Sequence, residues 1–197
     1  MRVQRACAAL ALLSVVGCRS VDRPAAAGGA TPIYNERTGA LEQLVSDRDG
    51  DGKIDTRAFM DGVRLKHIEI DRNGDGAPDR WEYYTAAAGT GAAGQPAATT
   101  VLSHIEEAGA FDTRITRREF YRHGALHRVE EDTDLDGRPD KWEIYEAGLL
   151  ARIDLDLVGK GVASQRLVYG PGGNVERVET DPDGDGHFEP VASRKGG

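Results

Sequence analysis

The chain is poor in what most catalytic sites and nucleic-acid interfaces are made from. Its 197 residues include two cysteines, two tryptophans and five histidines, and aromatic residues make up only 6%. No Cys/His cluster has zinc-ligand spacing, no glycine loop is set to cradle a phosphate, and no serine lies in a nucleophile elbow. Enzymatic activity is therefore not expected. Positive charge is also short. Lys and Arg total 25 against 33 Asp and Glu, for a net charge of -8. Nucleic acid is excluded as a partner, because phosphate binding needs a basic face. No segment sustains a 3.6-residue apolar period, so helices are not expected. With so few aromatics the core should be thin and spread out.

What is present in excess is glycine, 25 residues, and aspartate gathered into short clusters. The clusters recur. Asp47 and Asp71 are 24 residues apart, as are Asp132 and Asp156, and Asp181 comes 25 later. Counting back 24 from Asp132 reaches Ala108, in a unit displaced by an Ala/Gly-rich insertion. An aliphatic pair spaced by three residues precedes every cluster: Leu41/Leu44, Leu65/Ile68, Leu102/Ile105, Leu126/Val129, Leu150/Ile153 and Val175/Val178. The chain thus divides into six units of about 24 residues, two of them with degenerate clusters.

Each unit reads as strand, Asp loop, strand, glycine turn. After the loop, Trp81 and Tyr83 alternate with Glu82 and Tyr84, as the two faces of a strand require. Turns such as Asp61-Gly62, His123-Gly124 and Ala147-Gly148 suit hairpins. The three-residue spacing of the aliphatic pair does not fit a flat strand, and a β-bulge would reconcile it. The expected fold is all-β, an antiparallel meander of about six hairpin repeats, with a closed propeller or barrel as the alternative. The repeat domain should span 38–192, with 85–100 as a mobile Ala/Gly insertion and 193–197 as a disordered tail.

The first residues carry Arg2 and Arg5, then an apolar run from Ala8 to Val16 that is too short to cross a bilayer. Residues 1–17 read as a secretory signal. The run ends in Val15-Val16-Gly17-Cys18, which resembles the lipobox of bacterial lipoproteins. That resemblance implies lipidation at Cys18, a membrane contact through the lipid, and no thiol left for a disulfide. Residues 18–37 would be a flexible tether. Arg19, where an Asp would imply inner-membrane retention, favours the outer membrane of the cell envelope.

Four clusters fit D-x-[DN]-x-D-G-x-x-[DE]. Their candidate metal ligands are Asp47, Asp49, Asp51 and Asp55; Asp71, Asn73, Asp75 and Asp79; Asp132, Asp134, Asp136 and Asp140; and Asp181, Asp183, Asp185 and Glu189. Ca2+ takes six to eight oxygen ligands, and carboxylates at loop positions 1, 3 and 5 converge when a glycine at position 6 lets the chain curl. Unneutralised, so many like charges would repel. The loops resemble those of EF-hands, dockerins, thrombospondin type 3 repeats and integrin-type propellers over nine to twelve residues each. An EF-hand would add a glutamate at position 12, where Glu82 and Glu143 stand, but the other intact loops have Ala58 and Ala192 there. Lys160 replaces a ligand in the degenerate loop after Asp156. The sequence thus points to a non-enzymatic, monomeric protein in which calcium stabilises a repeat array facing a protein or polysaccharide partner. A dockerin-like recognition module is the alternative.

Overall fold

In a computed structural model, the described residues are 29–87, 99–109 and 113–191. The expected signal peptide, Cys18, the first part of the tether, residues 88–98 of the insertion, residues 110–112 and 192 of the repeat domain and the 193–197 tail lie outside them.

The described chain forms thirteen strands and no helix: β1 (Thr31–Tyr34), β2 (Leu41–Ser46), β3 (Thr56–Asp61), β4 (Arg64–Ile70), β5 (Arg80–Ala86), β6 (Thr100–Ala108), β7 (Ile115–Arg122), β8 (Ala125–Glu131), β9 (Lys141–Glu146), β10 (Leu149–Leu155), β11 (Gln165–Tyr169), β12 (Val175–Thr180) and β13 (Glu189–Pro190). They make one antiparallel sheet in strict sequence order, open at both edges. The meander expected from the repeats is what forms, and neither a barrel nor a propeller closes. Three boundaries move. Thr31–Tyr34, assigned by sequence to the tether, pairs with β2 as an edge strand. Thr85, Ala86 and Thr100, assigned to the insertion, belong to the β5–β6 ladder.

The aliphatic pairs explain themselves in the register. Tyr34 faces Leu41 while Ile33 faces Gln43, so Glu42 is the extra residue of a bulge. Lys66, Ser103, His127, Ala151 and Glu176 are skipped in the same way. In all six units the bulge falls directly after the first aliphatic residue. It turns a three-residue spacing into a same-face pair and adds local twist.

Among the described residues no second layer covers the sheet, and only Ile105 and Val129 are buried apolar side chains, at 2% and 0% exposure. Cross-strand ladders therefore carry much of the stabilisation. On one face Phe59, His67, Tyr83, His104 and Phe120 stack in turn, with neighbouring ring centroids 4.1, 5.9, 4.4 and 6.2 Å apart. On the other face a ladder of alternating charge crosses β5 to β9 through Arg80, Glu107, Arg117, Glu131 and Lys141.

The meander also sorts the connections. Every Asp loop lies at one margin of the sheet, and the tight turns lie at the other. His123-Gly124 and Ala147-Gly148 have positive φ at both residues, as a two-residue hairpin turn matching strand twist requires.

Candidate metal centres

Each intact loop is wrapped around its first aspartate. The Asp71 carboxylate accepts the amides of Gly74 and Gly76, both at 2.7 Å. Asp47 does the same with Gly50 and Gly52, and Asp181 with Gly184 and Gly186. The glycine at position 6 has φ of 91° at Gly52 and 97° at Gly76, a region closed to most side chains. The curl that calcium loops need is thus encoded in backbone conformation. Desolvation alone would push the Asp181 carboxyl up, but the Gly186 and Gly184 amides outweigh it and hold it below the ordinary aspartate range.

The curl brings carboxylates together at three loops. Oxygens of Asp47, Asp49 and Asp55 lie within 4.8 Å of one another, as do those of Asp132, Asp134 and Asp136, and those of Asp181, Asp183 and Asp185. Calcium–oxygen bonds of about 2.3–2.6 Å set ligand oxygens at separations of this order. The donor set is all oxygen, which suits a hard cation. Asp132 adds an independent sign: its Oδ1 is buried and accepts no hydrogen bond. A buried carboxylate oxygen without a donor is costly, and a bound cation would satisfy it. These groups could hold a metal ion.

The remaining expected ligands are placed differently. Asp51 Oδ1 caps the Lys53 amide at 2.8 Å. Asp140 accepts the amides of Thr133 and Asp134 together with the Thr133 hydroxyl. Asp79 accepts the Arg72 amide. Glu189 opens β13, opposite Thr180. In the second loop Asn73 donates to Asp75 Oδ2 at 3.1 Å. An asparagine at position 3 gives that loop one carboxylate fewer than its neighbours.

Glu82 and Glu143 have a different setting. Glu82 accepts Arg80 Nε on Oε1 and the Tyr84 hydroxyl on Oε2. Glu143 sits likewise between Lys141 and Tyr145, and Glu119 between Arg117 and Tyr121. The pattern [RK]-x-E-x-Y stands in the sequence at all three places, and the degenerate unit's Glu119 already marks the glutamate as a strand residue first and a ligand second. Burial and the glutamate hydrogen bond push Tyr84, Tyr121 and Tyr145 up to about 12. Burial pushes Glu143 up, yet Lys141 and Tyr145 outweigh it and leave its carboxyl below the usual range.

Sequence missed the coupling between loops. The amide of Asp71 donates to the carbonyl of Asp55, and that of Asp156 to Asp140, both at 2.8 Å. Lys53 Nζ also reaches the Gly74 carbonyl at 2.7 Å. The first residue of one loop is thereby tied to the last residue of the loop before it.

No protein-family model matches the chain, and no curated protein matches it. Among solved structures, the crystal structure of accessory secretory protein 1, 2 and 3 in Streptococcus pneumoniae is similar at 14% identity over 66% of this chain, with a TM-score of 0.30. The crystal structure of a GtfA/B complex is similar at 11% identity over 69%, with a TM-score of 0.29. This chain spans about a fifth of the length of each of those chains, 19% and 20%.

Proposed function

We propose that this protein is a non-enzymatic, calcium-stabilised lipoprotein of the bacterial envelope, held at the outer membrane through Cys18 and acting as a monomer. Its repeat array presents a surface to a protein or polysaccharide partner. The observation that supports this best is the pairing of three convergent carboxylate groups with a single-layer sheet that, among the described residues, buries only two apolar side chains. A sheet so thinly packed gains from any ligand that binds the folded form alone, by about 1.4 kcal/mol per site at tenfold excess over Kd. Affinities of about 10⁻⁴ to 10⁻³ M suit extracellular calcium modules.

The dockerin-like reading is disfavoured by the elements that come after the loops. β3, β5 and β9 are strands, where a dockerin would have helices. Among the described residues no helix is long and apolar enough to cross a membrane. The deciding experiment is a calorimetric calcium titration paired with thermal melting. Saturable calcium heat and a lower melting temperature in excess EDTA are expected. Identical melting with calcium and with EDTA would defeat the proposal.

A further inference from the structure

The aromatic-ladder face changes character beyond Phe120. Register continues that row as Arg128, Ile144 and Arg152, and the row beside it as Glu130, Trp142 and Asp154. Here the degenerate loop between β10 and β11 matters. Val162 and Ala163 line one cleft together with Trp142, Arg128, Arg152 and Asp154. In this loop Val158 and Lys160 stand where the intact loops carry acids, and Val162 is 52% exposed. A loop that keeps Asp156 but has no carboxylate at positions 3, 5 and 9 thus supplies an apolar lip beside a tryptophan.

The polar groups around the cleft have capacity to spare. Arg128 binds Glu130 through Nη2 at 2.6 Å, while its Nε is buried without an acceptor. Arg152 binds Asp154 through Nε at 3.1 Å. Asp154 is in turn held by Arg166. The site therefore offers an indole, an apolar lip, and two arginines on strands two spacings apart, about 9.6 Å between backbones. Flat indole surface suits the apolar face of a sugar ring, and arginine forks suit a carboxylate.

We propose that the Trp142 cleft binds a hexuronate unit of an acidic polysaccharide, with the ring against Trp142 and the carboxylate at Arg128. This rests on the partner-presenting part of the proposed function and names its polysaccharide side. It also accounts for the degenerate loop, whose residues serve the cleft in place of a metal.

The test uses the full chain carrying Trp81→Phe, which leaves Trp142 as the single tryptophan. Calcium heat is measured first on the same sample, so failure of the calcium reading would show separately. Tetragalacturonate and a mannuronate tetramer are then titrated against Trp142 emission. A saturable change is expected with at least one, and none with the methyl-esterified galacturonate. Arg128→Gln should weaken binding about tenfold or more, as loss of a charge-assisted hydrogen bond does. Arg128→Lys should keep part of the affinity, and it remains informative if the Gln variant unfolds. No saturable change with either acid oligomer, or equal binding of the methyl ester, would overturn the proposal.

Discussion

Asp132 Oδ1 stands without a donor in the one intact loop whose position 4 is Leu135 in place of glycine. In the other intact loops a glycine amide fills that role, donating to the first aspartate from Gly50, Gly74 and Gly184. Leu135 adopts φ of 65°, the left-handed region, with its side chain 51% exposed. A side chain there costs about 1 kcal/mol relative to glycine. Leu135→Gly should therefore raise the melting temperature in calcium-free buffer. A fall would mean that the leucine packs usefully.

Removing one charge from each carboxylate group should remove one site. Asp49→Ala, Asp134→Ala and Asp183→Ala, which leave no side-chain oxygen at loop position 3, are each expected to lower calorimetric calcium stoichiometry by one. Unchanged stoichiometry in any of them would exclude that loop as a site.

The cation–glutamate–tyrosine triads should matter without any metal. Glu119 is bound by Arg117 and Tyr121 in the middle of the charge ladder. Glu119→Gln should cost about 1 kcal/mol, since the pair is only partly shielded from solvent. The exposed Glu42→Gln serves as control. Urea unfolding in EDTA would measure both, and equal midpoints would argue against the triads.

Alkaline pH should act through the same triads. The phenols of Tyr84, Tyr121 and Tyr145 titrate higher when folded, at about 12 against an ordinary value of 10.0. A raised folded value means that the stabilisation is complete below pH 10 and disappears as pH climbs toward 12. Phenolate absorbance should lag behind that of free tyrosine and rise together with unfolding. Early, independent ionisation of these phenols would contradict the geometry.

Val129 is the most buried apolar side chain described, and no second layer can close over a cavity there. Val129→Ala should cost about 2 kcal/mol. A change under about 0.5 kcal/mol in chemical denaturation, the size of an ordinary surface substitution, would show that the sheet collapses freely around it.

Much of this was legible in the sequence because the repeat supplies six aligned readings of one pattern. The Leu65/Ile68 spacing alone is ambiguous, but six such pairs demand a bulge, and Lys66 and its counterparts provide it. The Asp loops were legible because glycine at position 6 reports a backbone requirement. Other features depend on neighbours that no local window contains. Thr31–Tyr34 lacks a repeat partner and becomes a strand only because β2 offers an edge. Glu82 looked like a ligand in a loop template, yet Arg80 and Tyr84, two residues away on either side, claim it. The cleft at Trp142 needed three strands and a loop assembled before its residues could be seen as one group.

Strict nearest-neighbour order has a mechanical consequence. Every inner strand is held by the ladders on its two sides, the edge strands β1 and β13 by one, and among the described residues nothing holds them from above or below. Drawn apart from its two ends, such a strip yields by peeling, one ladder after another, as a row of coupled units does. The ties from Asp71 to Asp55 and from Asp156 to Asp140 sit at the loop margin, where bound cations would stiffen each successive rip. A strip built this way takes up strain gradually and sheds edge strands before it gives up its middle.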